Sequence, residues 1–386
     1  MAHIIATADE AVETAIKLAA QFAPTALERD RDRRLPEAEL DALSASGLLA
    51  ISVPARFGGA DLGVGPIAEV IRTLATVDAS ISQIPHSHFV FADALRRLGT
   101  EAQRADIFGQ ILAGKRLANA QSERGGKTIT DDSTTLSGGE LNGTKYYSTG
   151  ALYADILVVR AVRDGRKILA YVPRDSPGVT VVDDWDGLGQ RTTASGTVTL
   201  EKVAVRDEQV VDFSSIFEQP STFGARAQIL HAAIDAGIAR GALDAGVAVV
   251  GKARPWFEAG VDQAADDPLL VQQAGELELQ VRAADALLRA AATAITHAEA
   301  ELSAESVAQA SIATAAAKVA AGRASVAVAS ELFELGGTRS AAAGLNLSRF
   351  WRDARTHTLH DPERWKIQHL GRWTLSHIHP PRHGQI

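Results

Sequence analysis

The stretch RDARTHTLHD, residues 352–361, holds the densest set of residues able to do chemistry. His357 and His360 are three apart, so on a helix they share one face. Asp353 lies four residues before His357, a spacing that lets a carboxylate orient an imidazole one turn away. His360 falls where this helix should end, and the backbone dipole there favours positive charge. Imidazole changes charge near neutral pH, so the pair suits moving a proton to or from a reacting atom. Two plainer readings stay open: the histidines only pack or meet solvent at a helix end, or His-x-x-His-Asp offers ligands to a metal. No other cluster in the sequence completes a metal shell, so no metal is expected. Asp361 precedes Pro362, which disfavours continuing the same helix. The two read as the N-cap and first residue of a new helix over DPERWKIQHL. His86 and His88 form a second pair. Two apart on a helix, they face different ways, so one can reach a site while the other packs elsewhere.

Three textures of sequence must position these groups. Residues 1–115 read as helices: apolar residues recur at helical spacing in EAVETAIKLAAQFA and from Ile67 to Leu74, and PHSHFVFADALRRLG reads as a helix beginning at Pro85. Residues 116–222 are short runs bounded by turns, such as ILVVRAV and KILAYVP either side of the hairpin signal Asp164-Gly165. Residues 223–386 return to helix, now very Ala-rich, with three long segments and a fourth expected from about Leu345 to His360. Four such helices suggest a bundle. Two polar stretches, 251–267 and 123–135, are long for structureless loops and read as lids that order when a ligand binds.

Composition narrows the function. The net charge of −8 argues against a nucleic-acid partner. No apolar run in the sequence reads as a membrane span, and the N-terminus lacks the positive start of a signal peptide, so no membrane partner and a cytoplasmic location are expected. There is no cysteine, which excludes disulfides, thiolate catalysis and Cys-ligated metals, and the one methionine is Met1. Such sulfur poverty reads either as drift or as a protein made when sulfur is scarce. Neither GxGxxG after a strand nor a P-loop occurs. Redox chemistry here would need its electrons by a route other than a standard NAD(P)H site.

Four segments in order resemble the acyl-CoA dehydrogenase superfamily over nearly the whole chain. ANAQSERGG (118–126) and NGTKYYSTGALYAD (142–155) are similar to its two flavin-contacting segments, FELGGTRS (333–340) to its Gly-Gly turn, and RDARTHTLHD to the segment leading to its catalytic glutamate. The resemblance implies an N-terminal helical domain, a small middle β-barrel domain and a C-terminal four-helix bundle. The departure is Asp361 before proline where the dehydrogenases place glutamate before glycine. THTLHDP, WDGLGQR and the ending PPRHGQI resemble a narrower branch, the dibenzothiophene monooxygenases and related sulfur-acquisition oxidoreductases.

That branch implies a two-component monooxygenase. Reduced flavin, FMN or else FAD, would arrive from a separate NAD(P)H-dependent flavin reductase and react with O2 through a C4a-hydroperoxyflavin to oxygenate a small organosulfur compound. His360 and His357 would be catalytic, with Ser148 and Asn119. Gln121, Ser122, Tyr147, Ser148 and Thr149 would contact the flavin, while Arg254, Arg339, Gly336 and Gly337 would serve its phosphates, Arg254 reaching into a neighbouring subunit. His88 and Trp185 would line the substrate pocket. The family implies a homotetramer. An FAD-dependent acyl-CoA dehydrogenase and a flavin-dependent N-oxygenase are the alternatives.

Overall fold

A computed structural model describes residues 2–128 and 130–385; Met1, Ile129 (within the second expected lid) and Ile386 lie outside the described residues. The chain opens with five helices, α1 (Ala8–Asp32), α2 (Glu37–Ala45), α3 (Val64–Ala75), α4 (Ala79–Leu98) and α5 (Glu101–Leu112). Their starts are chemically marked. The Thr7 side chain accepts from the Glu10 N–H, and Thr100 forms a reciprocal capping box with Gln103. Asp78 caps α4 by accepting from the N–H groups of Ser80 and Ile81. That cap corrects the expected start at Pro85: the helix begins at Ala79 and carries Pro85 inside it, which sets His86 and His88 in a buried mid-helix stretch.

Among the described residues eight strands follow: β1 (Leu117–Ala120), β2 (Thr135–Ser137), β3 (Glu140–Lys145), β4 (Ile156–Arg163), β5 (Arg166–Pro173), β6 (Val179–Val182), β7 (Thr197–Ala204) and β8 (Val210–Asp212). They form one sheet in the order β6-β7-β3-β2-β4-β5-β8, with β1 paired in parallel to β4. Hydrogen bonding does not close the expected barrel among the described residues, since β6 and β8 at the ends pair with one strand each. Asp164 and Gly165 both take positive φ, the turn geometry that joins β4 to β5 without splaying them.

The C-terminal part holds α6 (Phe223–Val250), α7 (Pro268–Ala300), α8 (Ala304–Gly336), α9 (Ser348–His357) and α10 (Glu363–Ser376). The expected fourth helix is therefore shorter than predicted, ending at His357. Small residues let the helices approach closely: a Cβ at Gly241 of α6 would come within 2.0 Å of the Thr76 carbonyl oxygen at the end of α3. One apolar core runs through α1, α3, α4, α6, α7 and α8, so the first and last parts share a core. The helix Ala304–Ala341, counting the turn that ends α8, is by length and composition apolar enough to cross a membrane, but most of its apolar window is buried inside the protein.

Candidate functional site

Four histidines meet where α4, α6 and α9 cross. α6 brings His231 and Asp235, four residues apart and so on one face. α4 brings His86, whose ring stacks on His231 at 3.9 Å between centroids. α9 ends in His357, whose Nε2 lies 3.0 Å from His231 Nδ1 and whose Nδ1 lies 2.5 Å from Asp235 Oδ1. After His357 the chain leaves the helix in a tight turn, with the His360 N–H donating to the His357 carbonyl. His360 is therefore not on the helix face shared with His357, and its ring comes back over His231 at 4.3 Å. His86, His231 and His357 are buried, whereas the His360 side chain is 45% exposed.

Burial dominates the electrostatics. It drives His86 down to about 3 despite its bond to the Ala227 carbonyl. Burial, followed by the neighbouring histidines and Lys318, holds His231 well below its ordinary value. Burial also lowers His357, with the Asp235 carboxylate pulling the other way. For Asp361 the balance reverses. Burial raises it, but His360, Lys318 and Lys366 more than offset this and hold the carboxyl far below its usual range.

Two expected partnerships are corrected here. Asp353 does not orient His357: its Oδ1 accepts the Gln190 N–H at 2.6 Å, and the carboxylate on His357 is Asp235. Asp361 is not an N-cap. α10 starts after Pro362 with no side-chain cap, and the buried Asp361 carboxylate accepts from His360 Nδ1 at 3.1 Å.

A loop ties this cluster to the strand ends. The Gly189 N–H donates to Thr356 Oγ1, and a Cβ at Gly189 would fall 2.0 Å from the Arg352 carbonyl oxygen, so the loop meets the α9 backbone only because it has no side chain there. The same loop continues to Thr193, whose carbonyl accepts the Gly150 N–H, and to Ser195, whose hydroxyl bonds Thr149 Oγ1 at 2.8 Å. The Ser148 N–H donates to the Gly196 carbonyl. Thr149 and Ser148 are buried, and Ser148 Oγ has no partner among the described residues. Beside them, Asn119 Nδ2 donates to the Tyr147 carbonyl at 3.3 Å while Asn119 Oδ1 is buried without a partner. Tyr147 is half exposed and takes φ of 55°, a left-handed conformation uncommon for a side chain of this size. Its ring meets Trp185 edge-on at 6.4 Å, and Trp185 Nε1 donates to the Gln190 carbonyl. Gln121 Nε2 donates to the Val158 carbonyl, and Ser122 bridges to Tyr146. The strand-end residues thus gather as one group, joined through the loop to α9.

Other expected residues lie apart. His88 is corrected from the pocket: it is buried with Nε2 against the Leu49 carbonyl and Nδ1 accepting the Leu117 N–H, so both ring nitrogens are spent on backbone. His86, its neighbour two residues earlier, is the one that joins the cluster. Arg254 and Arg339 are exposed at the far end of the bundle, where Gly336 of α8 lies against Val249 of α6 and Gly337 turns the chain at φ of 59°. From His231 to Val249, α6 rises by about 27 Å. Sequence reasoning missed His231, Asp235 and Lys318. The available signal was a histidine and an aspartate four apart in an otherwise apolar, Ala-rich helix.

His231, His360 and Asp361 offer ligand atoms within 4.8 Å of one another. His231 Nδ1 is already bonded to His357, and Lys318 and Lys366 bring positive charge toward the same spot. This setting favours protons over a metal cation.

Models of the acyl-CoA dehydrogenase N-terminal, middle and C-terminal domains match residues 7–115, 118–203 and 229–362. The chain is 33% identical to dibenzothiophene monooxygenase of Rhodococcus qingshengii, over 96% of this chain and 94% of that protein. It is 32% identical to a probable FMNH2-dependent monooxygenase, SfnC, of Pseudomonas putida, over 96% of each. The FMN-bound structure of TdsC from Paenibacillus sp. A11-2 superposes with a TM-score of 0.93 at 33% identity, covering 97% of this chain and 100% of that one. The chain belongs to the acyl-CoA dehydrogenase family and, within it, groups with the dibenzothiophene monooxygenases.

Proposed function

We propose that the protein is the oxygenase of a two-component flavin monooxygenase, taking reduced FMN from a separate NAD(P)H-dependent reductase and using O2 to oxygenate a small organosulfur compound. The observation that carries this reading is His360 held by the buried Asp361. Proton-moving groups stand where a dehydrogenase needs a free glutamate base, and a carboxylate engaged by an imidazole is poorly placed to remove a substrate proton.

The residues present fit a flavin. Ser148 Oγ and Asn119 Oδ1, buried without partners, offer a donor and an acceptor for a ligand. Asn119, Gln121, Ser122, Tyr147, Ser148 and Thr149 would hold the ring. Reduced FMN, when bound, supplies the two electrons that activate O2. Tyr147 and Trp185, whose rings meet edge-on, would wall the site once the ring is bound. His360 bonds Asp361 through Nδ1, so its Nε2 is the nitrogen free to give a proton to the reacting oxygen. His357 sits behind it, oriented by Asp235.

Arg254, Arg339, Gly336 and Gly337 lie by the far end of α6, about 27 Å along the helix from His231. We assign them to the phosphate of a flavin held by a neighbouring copy, as part of a homotetramer. Exposed Leu269 and Leu279 on α7 and Trp365 and Leu375 on α10 supply apolar surface for such an assembly. A cytoplasmic location goes with this reading.

The test is rapid mixing of anaerobic protein and reduced FMN with oxygenated buffer, with and without an organosulfur substrate. An absorbance transient distinct from reduced and oxidised FMN, outlasting that in free solution, followed by oxygenated product, is expected. Immediate flavin oxidation without transient or product, with FMN and with FAD, overturns the reading. Reduction of an artificial acceptor by acyl-CoA would replace it with the dehydrogenase.

A further inference from the structure

We infer that Asp235, His357 and His231 form a buried proton relay that reloads His360 when the site is closed to solvent. For its use the relay rests on the monooxygenase reading above; its existence does not.

The hydrogen bonds dictate where the protons sit. A carboxylate only accepts, so His357 Nδ1 carries a hydrogen and donates to Asp235 Oδ1. A neutral His357 then presents a lone pair at Nε2, and the 3.0 Å contact requires His231 Nδ1 to donate. A neutral His231 with its hydrogen on Nδ1 keeps a lone pair on Nε2. The resting relay is thus one acceptor nitrogen joined by two hydrogen bonds to a buried carboxylate. One proton arriving at His231 Nε2 lets the Nδ1 proton pass to His357 Nε2. The product is a neutral His231 of the opposite tautomer and a His357 imidazolium bonded to the Asp235 carboxylate. The reverse returns one proton at His231 Nε2.

The surroundings define both the store and its outlet. Asp235 Oδ2 has no hydrogen-bond partner, and Lys318 Nζ of α8 stands 3.8 Å from it, also without one. These two charges face the relay from behind. His86 of α4 covers one side of His231, with Nε2 fixed on the Ala227 carbonyl. On the other side lie His360 and Asp361, with Lys366 of α10 acting on Asp361. His231, His360 and Asp361 each have a ligand-type atom within 4.8 Å of the others, a separation that one water can span. His360 is the half-exposed member, so it loads from solvent while the site is open and from the relay when ligand covers it. Asp235 and His231 are then positioning residues that act through His357 and His360.

Two measurements test this. In the unmutated protein labelled with nitrogen-15 histidine, spectra at about pH 8, above the ordinary imidazole range, read the tautomers. Hydrogen on Nδ1 of both His231 and His357 is expected, with His231→Gln and His357→Gln identifying the signals. A His231 that carries its hydrogen on Nε2 throughout overturns the relay, whatever the enzyme's reaction. Second, product formed per reduced FMN is followed against pH for Asp235→Asn and His231→Gln. At about pH 6, where the relay can take up a proton before the site closes, each should lose about tenfold, and the loss should shrink toward about pH 8, where the parent's relay is empty as well. No loss, or an equal loss at both pH values with FMN binding intact, overturns the relay. If the parent itself forms no product, the functional reading fails and the spectra alone decide the relay.

Discussion

The two ends of α6 are built in opposite ways. At His231 the helix is buried on all sides, and side chains from α4, α6, α8 and α9 meet within a single chain. Beyond Val249 the same helix runs into Arg254, Trp256 and Phe257, all exposed. The first end is already assembled, so its chemistry depends on tautomers and burial. The second presents charge and apolar surface that are unspent, so its role depends on what comes to it. Proton chemistry needs groups held to a fraction of an ångström by the core, whereas recognition of a phosphate needs only accessible positive charge.

The comparison breaks first at the built end. His360→Ala removes the one half-exposed imidazole of the cluster while leaving the buried bonds among Asp235, His357 and His231. Product per reduced FMN should fall about a hundredfold or more while reduced FMN and O2 are still consumed. Product and flavin oxidation measured together check this. Unchanged product in His360→Ala, with Asp361→Asn abolishing turnover, would return the carboxylate to the role it has in the dehydrogenases.

The same contrast explains what the sequence could reveal. His357 and His360 were legible from the distinctive local pattern THTLHDP, although the shared helix face that their three-residue spacing implied is lost where α9 ends at His357. The partner of His357 was not, since Asp235 lies 122 residues away and only packing brings it near. Local spacing offered Asp353 instead, and that carboxylate went to the Gln190 backbone across a loop that no periodicity predicts. His86 and His88 were correctly seen as facing apart, but the choice between them depends on which side of α4 meets α6 and which meets β1. The order of helical, β and helical parts was legible from period and composition, because each helix is long and each strand is bounded by turns. Pro85 misled as a helix start because the Asp78 cap outweighs it seven residues earlier.

A smaller effect sharpens the account of the built end. Burial, with Asp30 and Asp78 nearby, pushes Asp353 up to about 7 although it accepts the Gln190 N–H. The native state then keeps a proton that the unfolded chain releases near the ordinary carboxyl value. Its contribution is whole below that value and is lost as pH rises through about 7. Asp353→Asn keeps an oxygen for Gln190 and removes the titration. Its stability relative to the parent should therefore grow with pH, by a few kcal/mol between about pH 5 and 8. Urea unfolding at both pH values measures it, and a difference independent of pH would remove Asp353 as a buried proton site.

The open end gives the smallest effect and the most direct test of why it is open. Arg254→Gln should weaken FMN binding by about three- to tenfold, more at low salt than at high, because an exposed guanidinium on a phosphate is screened. Fluorescence titration of FMN reads this, and loss equal at all salt concentrations would point to a packing defect instead. The distance along α6 adds a stronger requirement. If Arg254 serves the flavin of a neighbouring copy, it and His360 of the same chain belong to different sites. Arg254→Gln and His360→Ala chains, each impaired alone, should recover activity when produced together, since some sites then combine an intact arginine from one chain with an intact histidine from the other. Chains that serve their own flavin would show no recovery, because every site would carry one of the two defects.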